Sequence, residues 1–348
     1  MGGVVLTGAT GFVGSELLAR FLERGDRRVY ALVRAGDDEE AAARLPDHER
    51  LTAVAADIER SDLGLDRRTA DEIAEEATTV VHCAASVSFG LDLERSRSVN
   101  VDGSRRMVEL AELCARRGDG LERLTYVSTA YVAGAHRGLF REDQLDVGQR
   151  FRNSYERSKF EGETLVRERA RGMPLQVLRP SIVVGDTRTG WTSSFNVLYA
   201  PLKAFARGRL PAIPGRRSAP VDIVPVDYVA DAAYGLATHG PGGTFHLVAG
   251  ENASTVGRLL ELSSSQLEKA PPRVLPPLLY RRLAHPLLRR RYVALRRSEV
   301  YFPYFDMRVR FATRRFPPAP PVESYFERLI EFAQAARWGR RKAVPLAV

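Results

Sequence analysis

The sequence predicts an α/β fold: a doubly wound parallel sheet with a smaller, mainly helical C-terminal region. Two observations carry that prediction. From the N-terminus, short apolar runs rich in β-branched residues alternate with segments of helical period, as expected of strands buried on both faces and joined by crossover helices. A glycine-rich turn, G8-A-T-G-F-V-G14, separates the first such run from the first helix.

The elements follow in order. V4-V-L-T-G is the first strand, S15-E-L-L-A-R-F-L-E-R an amphipathic helix and R28-V-Y-A-L-V-R the second strand. L51-T-A-V-A-A-D, T79-V-V-H-C-A-A, L124-T-Y-V-S-T and L175-Q-V-L-R-P continue the series, with helices expected at about 68–77, 97–117 and 153–171. Past Pro180 the regularity falls away, and residues 185–220 are rich in Gly, Pro and Arg. V221-D-I-V-P-V-D-Y-V-A-D-A-A then reads as a short strand, a turn and a helix N-capped by Asp227, and T244-F-H-L-V-A as one more strand. PPRVLPPLLY (271–280) and the arginine-rich stretch after it read as helical with proline breaks. The expected division is a core of residues 1–184, rejoined by 217–250, and a substrate-binding or lid region formed by 185–216 and 251–348.

Composition narrows the class. With 348 residues, 44% apolar and 27% charged, the chain can bury a substantial core, and disorder is not the default. Met1-Gly-Gly-Val-Val-Leu starts a β-branched run at once, so a secretory signal is not expected, and no apolar window approaches the length of about 18 residues that a spanning helix needs. Cys83 and Cys114 sit in apolar surroundings without CxxC spacing, so both are expected as buried thiols in a reducing, cytoplasmic setting. No His/Cys/Asp/Glu cluster has metal-ligand spacing and no Gx4GK[ST] is present, so neither a metal nor NTP hydrolysis is expected. The net charge of +9 is uneven. Residues 271–320 hold twelve arginines against Glu299 and Asp306, and the first 270 residues are net −3.

The motifs point to a dinucleotide. In the glycine turn, Gly8, Thr10, Gly11, Phe12, Val13 and Gly14 can bring backbone close to a pyrophosphate whose charge rests on the helix N-terminus. The second strand ends in A31-L-V-R-A, with Arg34 where NAD-selective sites carry an acid on the ribose 2′-hydroxyl. A guanidinium there can bind a 2′-phosphate bidentately, which favours NADP(H). The bland alternative is a solvated arginine. Asp57 and Ile58 end the third strand, where a carboxylate can meet the adenine edge, and A84-A-S86 offers Ala84 and Ala85 as small residues for a passing ribose. His82 is expected as a packed histidine near the cofactor.

V127-S-T-A-Y-V-A-G134 ends the fifth strand with two hydroxyls, and Tyr155-x-x-x-Lys159 follows. An i, i+4 pair shares one helix face. A phenol of pKa near 10 is a poor acid or base at neutral pH, and lowering it toward 7 takes roughly 4 kcal/mol. A nearby ammonium is one source.

With these residues the chain resembles the extended short-chain dehydrogenase/reductase superfamily over roughly residues 1–250. The resemblance rests on the glycine loop, the hydroxyl-bearing strand end, Y-x-x-x-K and L178-R-P-S-I-V-V-G185 in that family's order. It implies that Tyr155 is the proton donor or acceptor and that Lys159 lowers its pKa and holds the nicotinamide ribose. Thr129, or less readily Ser128, would polarise the substrate carbonyl, and Pro180 and Ile182 would border the cofactor. H82-C-A-A-S-V-S-F89, V127-S-T-A-Y-V132, R179-P-S-I-V-V-G-D186 and V221-D-I-V-P-V-D-Y-V-A-D-A232 are similar to stretches of fatty acyl-CoA reductases and thioester reductase domains. That branch implies NADPH-dependent reduction of an acyl thioester, on CoA or a carrier protein, to an aldehyde or alcohol.

Two alternatives stand beside it. One is an NAD(P)-dependent nucleotide-sugar epimerase or dehydratase, or a hydroxysteroid or ketone dehydrogenase, although dehydratases carry Asp-Glu where Ala130-Tyr131 follow Thr129 here. The other is a non-catalytic NADP(H)-binding regulator, which generally loses the Tyr-Lys pair. The arginine-rich 281–315 segment is expected to be a solvated cover of the lid, a docking face for an acidic carrier protein or CoA phosphates, or an attachment to an anionic membrane surface. No nucleic-acid recognition motif accompanies it.

Overall fold

The protein is described here by a computed structural model covering residues 2–195, 197–286 and 299–340. Its strands in chain order are β1 (Gly3–Thr7), β2 (Val29–Val33), β3 (Leu51–Ala55), β4 (Ala77–His82), β5 (Arg123–Val127), β6 (Gly138–Phe140), β7 (Leu175–Pro180), β8 (Ile182–Val184), β9 (Ala212–Pro214), β10 (Pro220–Val221), β11 (Ile223–Pro225), β12 (Gly243–Leu247), β13 (Ser254–Thr255), β14 (Arg273–Leu275) and β15 (Val309–Phe311). Seven of them form one parallel sheet, ordered β12-β7-β5-β4-β1-β2-β3. The chain reverses direction across the sheet between β1 and β4, and an open α/β sheet binds ligands in the crevice outside the strand ends at such a point. Register pairs Thr7 with both Leu32 and His82, so Gly8, Arg34 and Cys83 emerge together at that crevice.

Helices cover both faces of the sheet: α1 (Phe12–Arg24), α2 (Asp38–Ala42), α3 (Arg67–Glu76), α4 (Leu93–Arg97), α5 (Gly103–Arg116), α6 (Ser154–Arg169), α7 (Tyr199–Ala206), α8 (Val226–His239) and α9 (Val256–Leu267). On one face Leu17, Leu18 and Phe21 of α1 pack with Val229, Ala233 and Leu236 of α8. On the other, Ile73, Met107, Val108 and Val166 meet Val5, Val80 and Leu124 of the sheet. Each such large apolar side chain contributes about 1.5–3 kcal/mol on burial.

Four expectations are corrected. The helix predicted at 97–117 is broken: α4 and α5 are joined by a π-helical turn, Ser98–Asp102. Gly103 packs there so tightly that a Cβ would lie 3.0 Å from Ile58 Cδ1. Asp227 is not the N-cap of α8, which is Pro225; the Asp227 carboxylate instead accepts from the Thr187 hydroxyl at 2.6 Å and the Thr187 amide at 3.2 Å. The stretch from 271 is not helical throughout, because Arg273–Leu275 is a strand paired with β9. Prolines at 271, 272 and 276 frame those three residues and disfavour the helical alternative. Cys114 is buried as expected, but Cys83 is only half-buried, at the mouth of the crevice.

Among the described residues after 184, α8 and β12 join the first layers, and most of the others build a second core on the sheet's end. Short strands return to earlier ones: β11 pairs with β8, β14 with β9, β13 with β10 and β15 with β6. Tyr199, Tyr304, Phe311 and residues of a last helix, Phe326–Ala335, share this core with Tyr131 and Phe140. Among the described residues no helix is long and apolar enough to cross a membrane. The arginine-rich stretch 287–298 lies outside the described residues.

Candidate active site

The glycine turn is shaped by what surrounds it. Gly8 has φ +78°, a left-handed conformation open to glycine, and a Cβ on it would lie 2.8 Å from the Ala84 amide nitrogen. A Cβ on Gly14 would lie 2.0 Å from the Gly8 carbonyl oxygen, so α1 can seat against the turn only as glycine. Gly11 is the N-cap, with no side chain capping the helix. The first turn of α1 thus presents free-facing backbone and its positive dipole end toward the crevice.

All the residues singled out for catalysis or cofactor contact line one cleft of about 460 Å³, among them Thr10, Phe12, Val13, Arg34, Asp57, Ile58, Ala85, Thr129, Tyr155, Lys159, Pro180 and Ile182. Asp57 spends one carboxylate oxygen on the Glu59 amide at 2.9 Å. The Arg34 side chain is 75% exposed and lies 3.8 Å from Glu59, itself paired with Arg95. Arg44, which sequence reasoning missed, lines the same end of the cleft and donates to the Arg34 carbonyl at 2.5 Å. No motif marks it; α2 and the turn after it bring it beside Arg34. The guanidiniums of Arg34, Arg44 and Arg95 against the two carboxylates of Asp57 and Glu59 leave this corner net positive by one charge.

The reactive end is organised by α6. Asn153 caps it, its side chain accepting from the Glu156 amide at 2.9 Å. Tyr155, Lys159 and Glu163 then fall at i, i+4 and i+8 on one face. Lys159 is buried; its Nζ donates to the Val127 carbonyl at 2.9 Å and to the Tyr126 hydroxyl at 3.2 Å, over the Tyr126 ring. Burial works against its charge, and the oxygens of Tyr126 and Tyr155 outweigh it, leaving its pKa above the ordinary lysine value. Glu163 forms a fully buried ion pair with Arg179 at 2.6 Å and accepts from Ser128 Oγ, also at 2.6 Å. Ser128 is therefore committed to Glu163, whereas the Thr129 hydroxyl donates to the Pro180 carbonyl at 3.3 Å and accepts from the Tyr131 amide at 3.2 Å, close enough to Tyr155 to pull on its phenol. Of the two strand-end hydroxyls, Thr129 is the one beside Tyr155.

Burial raises the Tyr155 pKa, and the opposing pulls of Lys159 and Thr129 do not overcome it. The phenol is a protonated donor at neutral pH. His82, predicted as packed, is buried with Nδ1 2.8 Å from Thr7 Oγ1, and desolvation drives its pKa down to about 3.

Other residues at the site carry no signal in the sequence. Asn100, on the π turn, exchanges hydrogen bonds with Ser86 and donates to Ser158 on α6 at 2.9 Å, tying the strand-end loop to that helix. Phe89 stacks on Tyr304, with centroids 5.3 Å apart, and lies 5.4 Å from Tyr155. Tyr304 belongs to the C-terminal region and is fixed by Glu156 at 2.7 Å and Asn153 at 2.9 Å.

A parallel sheet with this order, a glycine turn at its switch point and a Thr-Tyr-Lys cluster beside it define a dinucleotide-binding protein of the short-chain dehydrogenase/reductase type. Residues 6–233 match the family described as Male sterility protein, and the chain belongs to that family, the thioester-reductase branch of the superfamily. Among curated proteins it is 33% identical over 215 residues to an isonitrile lipopeptide synthase of Streptomyces coeruleorubidus, an alignment covering 58% of this chain and 14% of that one. It is 30% identical over 282 residues to a carboxylic acid reductase of Mycobacterium tuberculosis, covering 68% and 23%. The chain thus spans about a quarter or less of the length of these two relatives. Among solved structures, the terminal R domain of the myxalamid PKS-NRPS biosynthetic pathway superposes with a TM-score of 0.78 at 27% identity, covering 99% of this chain and 92% of that one. The reductase (R) domain of a non-ribosomal peptide synthetase from Mycobacterium tuberculosis gives 0.71 at 25%, covering 97% and 92%.

Proposed function

We propose that the protein is an NADPH-dependent reductase of an acyl thioester, carried on CoA or a carrier protein, giving an aldehyde or alcohol. The observation that carries this is the Thr129–Tyr155–Lys159 cluster on the wall of a cleft whose other end is a glycine cradle and a positive corner. The relatives' names, a carboxylic acid reductase and R domains among them, support the substrate class.

The cradle fits a dinucleotide, because Gly8 and Gly14 have no room for a Cβ and the uncapped helix end faces the crevice. Arg34 and Arg44 would hold a 2′-phosphate, with Glu59 neutralised by Arg95. Asp57 and Ile58 would border the adenine, Ala84 and Ala85 a ribose, Pro180 and Ile182 the nicotinamide, and Lys159 the ribose next to it.

When bound, NADPH supplies a hydride. Thr129 and Tyr155 hydrogen-bond the thioester carbonyl oxygen and stabilise the charge that develops on it. Tyr155, protonated at rest, gives that oxygen its proton. Lys159 beside it steadies the phenolate left behind. Hydride on carbon and proton on oxygen make a hemithioacetal, and loss of the thiol from it leaves the aldehyde.

For carrier recognition, Arg281 and Arg308, on the described flanks of the arginine-rich segment, line one groove with Arg137 and Arg152 against Glu299 and Asp306, an excess of positive charge that supports an acidic carrier protein or CoA phosphates as the partner. An anionic membrane surface is the competing partner, and carrier titration against vesicle flotation separates them.

Tyr155→Phe tests the mechanism: turnover should fall at least about a hundredfold, the usual scale of a general acid, with NADPH affinity nearly unchanged. Wild-type rates in the variant would remove Tyr155 from the reaction.

A further inference from the structure

A second, separate cavity lies directly behind the reactive cleft. Its walls come from Leu202, Phe205, Ile213, Val256, Leu259 and Leu260, on α7, β9 and α9. Three residues line both spaces: Ile182, Val197 and Tyr304. Tyr304 is one ring removed from the reactive phenol, since Phe89 stacks on Tyr304 and packs at a tilt against Tyr155.

The cavity's few polar groups are already engaged. Ser263 donates to the Leu259 carbonyl at 2.5 Å, Tyr304 to Glu156 at 2.7 Å, and the Val197 amide to the Tyr301 hydroxyl. Beyond the Tyr301 O–H a water would find no ready partner there, fewer than the two to four it needs, and cavities of that kind stay dry and take apolar ligands. A polar group entering would leave its water without a replacement partner.

We infer that this cavity is the acyl-chain pocket, and that the protein takes thioesters whose acyl group ends in an unbranched apolar tail. The inference rests on the reductase reading for the carbonyl end and on the cavity for the tail. At about 80 Å³ the pocket is roughly half the size of the ~150 Å³ cavity that holds benzene, so it admits about three carbons beyond those in the cleft. Acyl groups near hexanoyl fill it, acetyl does not reach it, and peptidyl or hydroxylated tails are excluded. Tyr304 is pinned, so passage depends on the side chains of Ile182 and Val197.

The test compares acetyl-CoA, hexanoyl-CoA and a hydroxyl-terminated hexanoyl-CoA with NADPH. Three buried methylenes are worth about fiftyfold in kcat/KM, so hexanoyl should exceed acetyl by that factor and the hydroxylated chain should fall back toward acetyl. Leu260 is only partly buried, so Leu260→Trp can fill the pocket without touching the reactive groups. It should collapse the preference to within about threefold while leaving acetyl unchanged. Leu210→Ala, which widens the far end, should move the optimum to a longer chain. Equal kcat/KM for all chains, or a preference untouched by Leu260→Trp, overturns the pocket. Calorimetric titration with hexanamide and acetamide, without NADPH, keeps the two readings apart. Hexanamide bound by wild type and lost in Leu260→Trp sustains the pocket even if no thioester is reduced, in which case it is the reductase reading that fails. Hexanamide bound no better than acetamide overturns the pocket whatever the turnover.

Discussion

Residues 2–184 hold their groups with backbone, whereas the described residues of 185–216 and 251–340 hold theirs with side chains packed across long separations in sequence. In the first region the glycine turn, the strand ends and the face of α6 fix the site through φ angles, register and helical period, and a misplaced Cβ at Gly14 would collide at 2.0 Å. In the second, two- and three-residue strands pair with partners far along the chain, β15 with β6 and β14 with β9, and Tyr304 reaches back to Asn153 and Glu156. Backbone constraints leave motifs; distant packing leaves only apolar residues in irregular order.

The difference can be broken at its strongest point first. Glu163→Ala would strand Arg179 in a fully buried site, and removing one partner of such a pair costs about 3–5 kcal/mol. Urea unfolding should show that loss, and an effect within about 0.5 kcal/mol would mean that α6 is not anchored to β7 by charge. On the other side of the comparison, Tyr304→Phe removes a hydroxyl that donates to a buried carboxylate, at a cost of about 2 kcal/mol, while leaving the ring against Phe89. Chain-length preference should survive this change, since the pocket wall is kept.

The positive corner gives a smaller, more selective effect. Arg34→Ala should weaken NADPH binding about tenfold and leave NADH nearly unchanged, as measured by fluorescence titration. Equal losses for both cofactors would contradict a 2′-phosphate role. Arg44→Ala should behave in the same way if the two guanidiniums share the phosphate.

Acidity sharpens the picture of the buried sheet. His82 and His246 are both held neutral by burial, with pKa values down to about 3, while the unfolded chain binds a proton near the ordinary 6.5. The unfolded state therefore binds more protons between these values. Stability should be full above about 6.5 and decline as pH falls toward 3. Denaturation midpoints recorded from pH 7 to 4 check this, and a flat profile would contradict it.

Nearly all of the sheet was legible in the sequence, and the predicted cofactor and catalytic residues share one cleft, because each depends on residues close together in one motif. The Tyr155–Lys159 spacing is sufficient to place two side chains on one face. The burial that raises the Tyr155 pKa was not legible, since it comes from packing that only the folded chain assembles, Phe89 against the ring among it. Arg44, Asn100 and Tyr304 were also missed, for each acts through a partner that only the folded chain brings near. The π turn that aims Asn100 has the same helical period as its neighbours, and Arg273–Leu275 is a strand only because Ala212–Pro214 lies beside it.

The central claim is that the cleft reduces an acyl thioester with NADPH. Absorbance at the nicotinamide band, followed with hexanoyl-CoA and with a hexanoyl-carrier protein, tests it most directly. The account predicts NADPH consumption matched by free thiol and by aldehyde or alcohol, and its near-abolition in Tyr155→Phe. Tight NADPH binding with no thioester of any chain length consumed would contradict it.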